Sequence, residues 1–311
     1  NLGAAYLGLG RYSEAIESLK QAIRIKPDYA EAHCNLGAAY LGLGRYSEAI
    51  ESLKQAIRIK PDYAGAHYNL GAAYWNLERY SEAIESYKQA IRIKPDLAEA
   101  HYNLGVAYGN LGRSSEAIES YKQAIRIKPD YLEAHYNLGA AYGNLGRYSE
   151  AIESLKQAIR IKPDLAEAHY NLGVAYGNLG RSSEAIESYK QAIRIKPDYA
   201  EAHYNLGVAY WNLGRYSEAI ESFKQAIRIK PDLAEAHYNL GVAYGKFGRY
   251  SEAIESYKQA IRIKPDYAEA HYFLGLAYII TGDKGSALDE YKILKEINKE
   301  LANKLFNLIY Q

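Results

Sequence analysis

Apolar residues recur along this chain at the spacing of an α-helix, in stretches that follow one another in pairs. Residues 30–63 show one pair, in which the apolar positions are Leu36, Tyr40 and Leu43 in the first stretch and Ile50, Leu53 and Ile57 in the second. Intervals of three, four and seven residues bring side chains to one face of a helix. The pattern therefore predicts two amphipathic helices here, and no strand.

Local signals mark where these helices begin and end. The segment 44–47, Gly-Arg-Tyr-Ser, breaks the first helix and starts the second. Pro61 ends the second, because proline lacks an N–H group and its ring clashes with the preceding turn. A first helix is predicted to open with a capping box, such as Asp28 with Glu31. The unit is thus an antiparallel helix pair, which must stack on neighbours to bury its apolar faces.

The same unit repeats with a fixed period of 34 residues. The prolines are Pro27, Pro61, Pro95, Pro129, Pro163, Pro197, Pro231 and Pro265, and the histidines are His33, His67, His101, His135, His169, His203, His237 and His271. Such a period predicts an array of stacked units, although a length of 311 residues would otherwise indicate two globular domains.

Composition and charge exclude several classes of protein. Lys and Arg total 38 against 37 Asp and Glu, so neither a strongly basic nucleic-acid binder nor an acidic tail is predicted. The one cysteine, Cys34, excludes an internal disulfide framework and a four-thiolate zinc site. No apolar run reaches the roughly 18 residues of a membrane span. The chain has no methionine, which predicts a piece of a longer product; its compartment is left open, with the cytoplasm as the expected one.

One unit carries the residues of a known repeat. In residues 98–131 the order is His-x-x-Leu-Gly-x-x-Tyr, then Ala-x-x-x-Tyr-x-x-Ala, then Pro, at His101, Leu104, Gly105, Tyr108, Ala117, Tyr121, Ala124 and Pro129. This order resembles the tetratricopeptide repeat, except that the family usually has tryptophan where this chain has histidine. The resemblance implies an all-α, right-handed superhelical solenoid whose first helices line a concave groove. It also implies binding, with no enzyme activity and no cofactor.

The period divides the chain into segments. We predict a truncated unit at 1–29, seven full units over 30–267, a divergent last unit at 268–298 and a C-terminal capping helix at 299–311. Asn298 is predicted to be the N-cap of that helix. Its apolar face is predicted to carry Leu301, Leu305, Leu308 and Ile309.

Residue types that often carry chemistry are predicted to be structural here. The histidines of stacked helices lie roughly 8–10 Å apart, whereas zinc ligands lie about 2 Å from the metal, so we predict packing histidines and no metal. Cys34 directly follows His33, and neighbours at i and i+1 do not face each other on a helix. The glycine-rich string 109–112 follows no strand, so it is not predicted to bind phosphate.

Two series of asparagines mark the expected binding face. The first is Asn1, Asn35, Asn69, Asn103, Asn137, Asn171, Asn205 and Asn239; the second, seven residues later, is Asn76, Asn110, Asn144, Asn178 and Asn212. Tyrosines precede most of the first series, at Tyr68, Tyr102, Tyr136, Tyr170, Tyr204 and Tyr238. Seven residues are two helical turns, so the two series share a face.

An asparagine amide has one acceptor and two donors, which matches the C=O and N–H of an extended peptide. The alternative is that these asparagines form hydrogen bonds between repeats or aid solubility. The repeats are also similar to those of O-linked N-acetylglucosamine transferases, where a ladder at the first-series position grips the peptide backbone. That resemblance implies the same role for the first series only. At roughly three peptide residues per repeat, the ladder would hold roughly 15–20 residues.

One position of the expected groove varies from unit to unit. It reads Leu7, Leu41, Trp75, Gly109, Gly143, Gly177, Trp211, Gly245 and Ile279. The glycines would open the groove floor, and Trp75 and Trp211 would flank the open stretch and contribute to binding. At the C-terminal end Phe273, Ile279 and Ile280 form an apolar surface, expected to lie under the capping helix.

These patterns favour a scaffold that binds protein or peptide segments. One alternative is the substrate-recruiting arm of a glycosyltransferase, whose catalytic part would have to precede residue 1. A second is a structural subunit that assembles end to end, through Leu2, Tyr6 and Leu9 at one end and Leu301, Leu305, Phe306 and Ile309 at the other. A clamp for a chaperone tail is disfavoured, since that family needs Lys and Arg where this chain has Tyr68, Ala72 and Glu99.

Overall fold

The computed structural model describes residues 2–310, which contain nineteen α-helices and no strand. In chain order, α1 to α19 are Leu2–Gly8, Tyr12–Ile25, Ala30–Gly42, Tyr46–Ile59, Ala64–Asn76, Tyr80–Ile93, Ala98–Asn110, Ser114–Ile127, Leu132–Asn144, Tyr148–Ile161, Ala166–Asn178, Ser182–Ile195, Ala200–Asn212, Tyr216–Ile229, Ala234–Lys246, Tyr250–Ile263, Ala268–Ile280, Lys284–Ile297 and Lys299–Ile309. The all-α prediction is confirmed. Odd-numbered helices up to α17 are the first helices of pairs, and even-numbered ones are the second.

The helices form two compact units, one ending at Lys162 and one beginning at Pro163. In each unit every helix packs against the next helix along the chain. Neighbouring first helices also touch, as α3 and α5 do in one unit and α11 and α13 in the other. Contacts that involve only neighbours are those of a solenoid. The finer division into repeat units stays a prediction.

A glycine with positive φ joins the two helices of most pairs. Gly44 has φ of 71°, and the N–H of Arg45 after it donates to the carbonyl of Tyr40 at 2.9 Å. In the pair α5–α6 this position is Glu78, with φ of 58°. A side chain there costs about 1–2 kcal/mol, so this turn is more strained than its equivalents.

The two helices of a pair approach most closely at a glycine of the first helix. A Cβ atom on Gly207 would lie 2.6 Å from the ring of Phe223, and one on Gly71 would lie 2.6 Å from the ring of Tyr87. Phe223 and Tyr87 are 1% and 2% exposed. Glycine is therefore the residue that lets each large side chain fill the space between the helices.

The start of the first helices differs from the prediction. Helix α3 begins at Ala30, so Tyr29 is the N-cap, and it makes no side-chain capping bond. The predicted capping box of Asp28 and Glu31 is wrong, because Asp28 lies one residue too early. A histidine side chain bonds to the backbone just before this helix: Nε2 of His33 lies 2.9 Å from the carbonyl oxygen of Pro27. All eight histidines make this bond, at 2.9–3.0 Å.

The last helices form a cluster of their own. Asn298 is the N-cap of α19, as predicted, and its side chain accepts a hydrogen bond from the N–H of Leu301 at 3.1 Å. Leu305 is fully buried and lies over Gly275 of α17, where a Cβ atom would be 2.6 Å away. In the other pairs a residue of the second helix occupies this place, such as Phe223 over Gly207.

This packing corrects two expectations about the C-terminal end. Ile279 packs on the cluster that contains α19, but Phe273 contacts Tyr238 and Tyr257 instead, and Ile280 is 57% exposed. The predicted end-to-end joint included Leu305 and Ile309, which are buried in this cluster and cannot contact a second chain. Self-association through the ends stays a prediction.

A buried ion pair holds α17 to α18. His271 is 3% exposed, and its Nδ1 lies 2.5 Å from Oε2 of Glu290. Its Nε2 lies 2.9 Å from the carbonyl oxygen of Pro265. Two acceptors require two N–H donors, which only the protonated ring has. Burial lowers the pKa of His271, but the bonds to Glu290 and Pro265 outweigh it, so the net pKa is raised above 6.5.

We expect this pair to make stability depend on pH. Because the pKa of His271 is higher in the folded state, its contribution is full below about pH 6.5 and is lost as pH rises through the folded pKa. Glu290→Ser installs the residue that the preceding pair has at Ser256. Urea unfolding should show wild type losing stability relative to Glu290→Ser between mildly acidic and alkaline pH. Parallel pH curves would contradict the assignment.

Candidate functional site

The first asparagine series lies half-buried on the first helices. At Asn69, Asn103, Asn137, Asn205 and Asn239 the amide Nδ2 donates to the residue 35 positions earlier, on the preceding pair. The bonds are Asn103 to the hydroxyl of Tyr68 at 2.9 Å, and Asn137 to Tyr102, Asn205 to Tyr170 and Asn239 to Tyr204 at 3.0 Å each. Asn69 donates to the sulfur of Cys34 at 3.8 Å, since cysteine stands there in place of tyrosine. Asn35 and Asn171 are also half-buried, and Asn1 lies outside the described residues.

These bonds establish the hydrogen bonding between repeats that the sequence left open. Each uses one N–H of the asparagine. The amide's second N–H and its carbonyl oxygen take no part in that bond. The asparagines are thus held in a common orientation by the preceding pair, and they keep one donor and one acceptor with which they can bind other groups.

The tyrosines of this face form a packed layer. The ring of Tyr102 lies 5.9 Å from that of Tyr121 and 5.0 Å from that of Tyr131. Burial raises the pKa of Tyr102, so its hydroxyl stays protonated. Tyr68, Tyr136, Tyr170, Tyr204 and Tyr238 are half-buried as well. Tyr238 contacts Phe273, which stands at the position of the first-series asparagine in the preceding repeats. Burial, with a smaller effect of the negative charge of Glu269, raises the pKa of Tyr238 to about 12.

The second asparagine series is exposed and mostly bonded within its own helix. Nδ2 of Asn76, Asn110 and Asn178 donates to the carbonyl oxygen four residues earlier, at 2.8–2.9 Å. Asn144 and Asn212 are exposed near the ends of α9 and α13. The two series do meet, because Asn137 and Asn144 line one pocket and Asn205 and Asn212 line another.

Two pockets lined by asparagines occur at positions 68 residues apart in the sequence. The α7/α9 pocket has a volume of about 290 Å³ and is lined by Asn110, Ser114, Tyr121, Asn137 and Asn144. The α11/α13 pocket has a volume of about 190 Å³ and is lined by Asn178, Ser182, Tyr189, Asn205 and Asn212. Each lies between two first helices and the second helix that separates them.

A third pocket repeats the same positions with different chemistry. The α15/α17 pocket, of about 310 Å³, is lined by Val242, Lys246, Tyr250, Tyr257, Phe273 and Ile280 among others. Phe273 and Ile280 stand where the α11/α13 pocket has Asn205 and Asn212. The sequence indicated these two apolar residues but not the pocket that they line. The signal that the three pockets share is a glycine near the end of the first helix, at Gly109, Gly177 and Gly245.

The two tryptophans occupy the position that is glycine in these pockets. Trp211 packs on Tyr216, with ring centroids 4.7 Å apart, and lies at the edge of the α15/α17 pocket. It also lines a neighbouring pocket of about 250 Å³ with Tyr238 and Asn239. Trp75 is 36% exposed near the end of α5. This position therefore accepts a large ring without disturbing the helix.

The remaining candidates for chemistry have structural surroundings. Cys34 is 4% exposed, and burial raises the pKa of its thiol, which disfavours the nucleophilic thiolate. Among residues 2–310 no three His, Cys, Asp or Glu side chains come together to hold a metal. None of the helices in the same range combines the length and the apolar composition of a membrane span. Charged pairs such as Lys122 with Glu119, at 3.0 Å, are exposed.

The repeats match a known family over nearly the whole chain. The model of the TPR repeat matches residues 3–44, 40–78, 76–112, 110–146, 144–180, 179–214, 212–248 and 246–282. The chain belongs to the tetratricopeptide repeat family, as its residues predicted. No protein with a curated description matches it.

Solved structures of TPR proteins resemble the chain over much of its length. A crystal structure of MamA is 32% identical, with a TM-score of 0.51, and covers 53% of this chain and 97% of its own. YrrB, described as a TPR protein with an unusual peptide-binding site, is 25% identical, with a TM-score of 0.56, and covers 60% and 96%. The C-terminal part of a TPR protein from Cytophaga hutchinsonii is 18% identical, with a TM-score of 0.67 and coverage of 78% and 99%, and shows the shared fold. The chain is a protein-interaction scaffold, of a fold that is generally non-catalytic.

Proposed function

We propose that this scaffold binds extended peptide segments along the exposed face of its first helices. The observation that carries the proposal is the row of asparagines that the preceding tyrosines hold in one orientation, as Tyr68 holds Asn103 at 2.9 Å. A row of preoriented amides offers a donor and an acceptor at a regular interval. An extended backbone presents the same two groups at every residue.

Preorientation is what makes such a row useful for binding. An amide that is already held in place loses little side-chain entropy when a peptide arrives. With helices spaced roughly 8–10 Å and an extended chain rising about 3.3 Å per residue, one asparagine meets about every third peptide residue. Backbone recognition of this kind depends little on sequence. YrrB, with its peptide-binding site, is a similar scaffold, which supports a peptide as the ligand.

Three asparagines of the compact unit that ends at Lys162 provide the test. Replacing Asn69, Asn103 and Asn137 with alanine should weaken binding of a fluorescein-labelled, unstructured peptide of mixed composition. At about 0.5–1.5 kcal/mol per hydrogen bond, the three substitutions should cost about 1.5–4.5 kcal/mol, or at least about tenfold in Kd. Fluorescence anisotropy measures the affinity, and circular dichroism checks that helicity is kept.

A second variant separates binding from stability. Tyr68→Phe with Tyr102→Phe removes the acceptors that hold Asn103 and Asn137 but keeps the rings and every asparagine. This variant should bind the peptide more weakly than wild type, because Asn103 and Asn137 lose their preorientation, but less weakly than the triple-alanine variant does, because every amide is kept. Wild-type affinity in the triple-alanine variant would refute the proposal. The roles of a glycosyltransferase arm and of a fibre subunit stay predictions.

A further inference from the structure

We propose that the α15/α17 pocket selects partner segments that carry a large apolar side chain next to a carboxylate. The inference rests on the proposed function and adds specificity to it. Backbone recognition by the asparagines does not distinguish one sequence from another. This pocket, between α15, α16 and α17, is the point where a particular side chain would be recognised.

The α15/α17 pocket is more apolar than the α11/α13 pocket, which lies in the same compact unit, beginning at Pro163. Asn205 and Asn212 of the α11/α13 pocket correspond to Phe273 and Ile280, and Val208 corresponds to Leu276. The first two differences replace an amide with a hydrocarbon side chain, and the third replaces a hydrocarbon side chain with a larger one. The pocket therefore cannot bind a peptide backbone as the asparagines do, because Phe273 has no group that donates or accepts a hydrogen bond.

A glycine leaves space at one side of the pocket. A Cβ atom on Gly245 would meet nothing closer than the hydroxyl of Tyr257, at 3.9 Å. One pair earlier the same position is Trp211, whose ring stands at the edge of the pocket. Ile280 remains 57% exposed at the opposite side. The result is an apolar concavity of about 310 Å³ that is open to solvent and not filled by the protein's own side chains.

The charge at the rim identifies the second feature of the ligand. Lys246 is exposed, and its ammonium lies 5.7 Å from the ring centroid of Tyr216. Among the described residues no carboxylate pairs with it, and none lines the pocket. The equivalent residue of the α11/α13 pocket is the neutral Asn178. A cation beside an apolar pocket complements an apolar side chain with a neighbouring Asp, Glu or C-terminal carboxylate.

A pair of matched variants tests the pocket. Gly245→Trp narrows it with the ring that Trp211 has at the same position of the preceding pair, and Gly177→Trp narrows the α11/α13 pocket as a control. The probe is a fluorescein-labelled Ser/Thr/Gly peptide with one central Phe-Asp pair, compared with the same peptide carrying Ser-Asp. Burial of the ring should make wild type bind the Phe-Asp peptide about 10- to 100-fold more tightly. Gly245→Trp should reduce that preference and Gly177→Trp should keep it.

Two further variants resolve the chemistry. Phe273→Asn with Ile280→Asn restores the residues of the other pockets, so it should fold and should lose the preference for Phe. Lys246→Asn should weaken binding of the Phe-Asp peptide about two- to fivefold at low salt and hardly at high salt, because salt screens an exposed charge.

The outcomes separate the two proposals. If wild type binds both peptides equally, or if Gly245→Trp keeps the preference, the pocket is not the specificity site, although the asparagine row stands. If wild type binds neither peptide, the proposed function fails as well. If wild type self-associates and the pocket variants do not, a second copy of this chain is the occupant and the peptide assignment is overturned.

Discussion

Replacing Phe223 with alanine should lower the free energy of unfolding of its helix pair by about 3–5 kcal/mol. The ring is 1% exposed, and it fills the gap that Gly207 leaves between α13 and α14. It also lies 5.9 Å from the ring of Tyr204. Removal of the ring leaves a cavity between α13 and α14, because Gly207 has no side chain that could fill it. Hydrogen exchange of the amides in α13 and α14 measures the local loss.

The neighbouring helix pairs offer the matched control. Tyr189 and Tyr257 occupy the equivalent position, each packed over its own glycine. Phe223→Tyr should therefore change stability by less than about 1 kcal/mol, because volume and shape are nearly conserved. If the alanine and tyrosine variants exchange at the same rate as wild type, the ring does not support the pair as described.

Leu305→Ala should destabilise the C-terminal helices by about 2–5 kcal/mol. Leu305 is fully buried and belongs to a cluster with Leu294, Ala302 and Ile309. Leu305 of α19 packs over Gly275, whereas in the other pairs a residue of the second helix, such as Phe223, packs over the equivalent glycine. Its loss should detach α19 from α17, so protection from hydrogen exchange should fall throughout α19.

Leu308, three residues later on the same helix, is the control. Its side chain is 38% exposed, so Leu308→Ala removes little buried surface and should cost less than about 1 kcal/mol. Equal losses in the two variants would show that α19 is held by its helical propensity and not by the contact of Leu305 with α17.

Local signals were enough to predict most of the fold. The helix bounds follow from Pro61 and its equivalents and from glycines such as Gly44, whose positive φ of 71° ends a first helix. These effects act within one turn of the chain, so they can be read from a single unit. The capping box at Asp28 failed although it is local, because the N-cap is Tyr29, one residue later.

The binding face was predicted less completely. The sequence showed that Asn103 and its equivalents share a face, because a period of 34 and the helical repeat are sufficient for that. It did not show that Asn103 donates to Tyr68, since the two residues are 35 positions apart and lie on different helix pairs. It gave each amide two possible roles, and the structure shows the bond between repeats.

Only the tertiary structure determined which residues of different helices share a pocket or a core. The repeat pattern would place Tyr291 over Gly275, but Leu305 of α19 lies there, and Tyr291 packs against Phe306. Likewise, the α15/α17 pocket joins side chains from several helices. The sequence by itself determined the helices and the period, because those depend on neighbours along the chain. Which side chains fill or leave open the space between helices depends on packing across the stack, and that was settled by the fold.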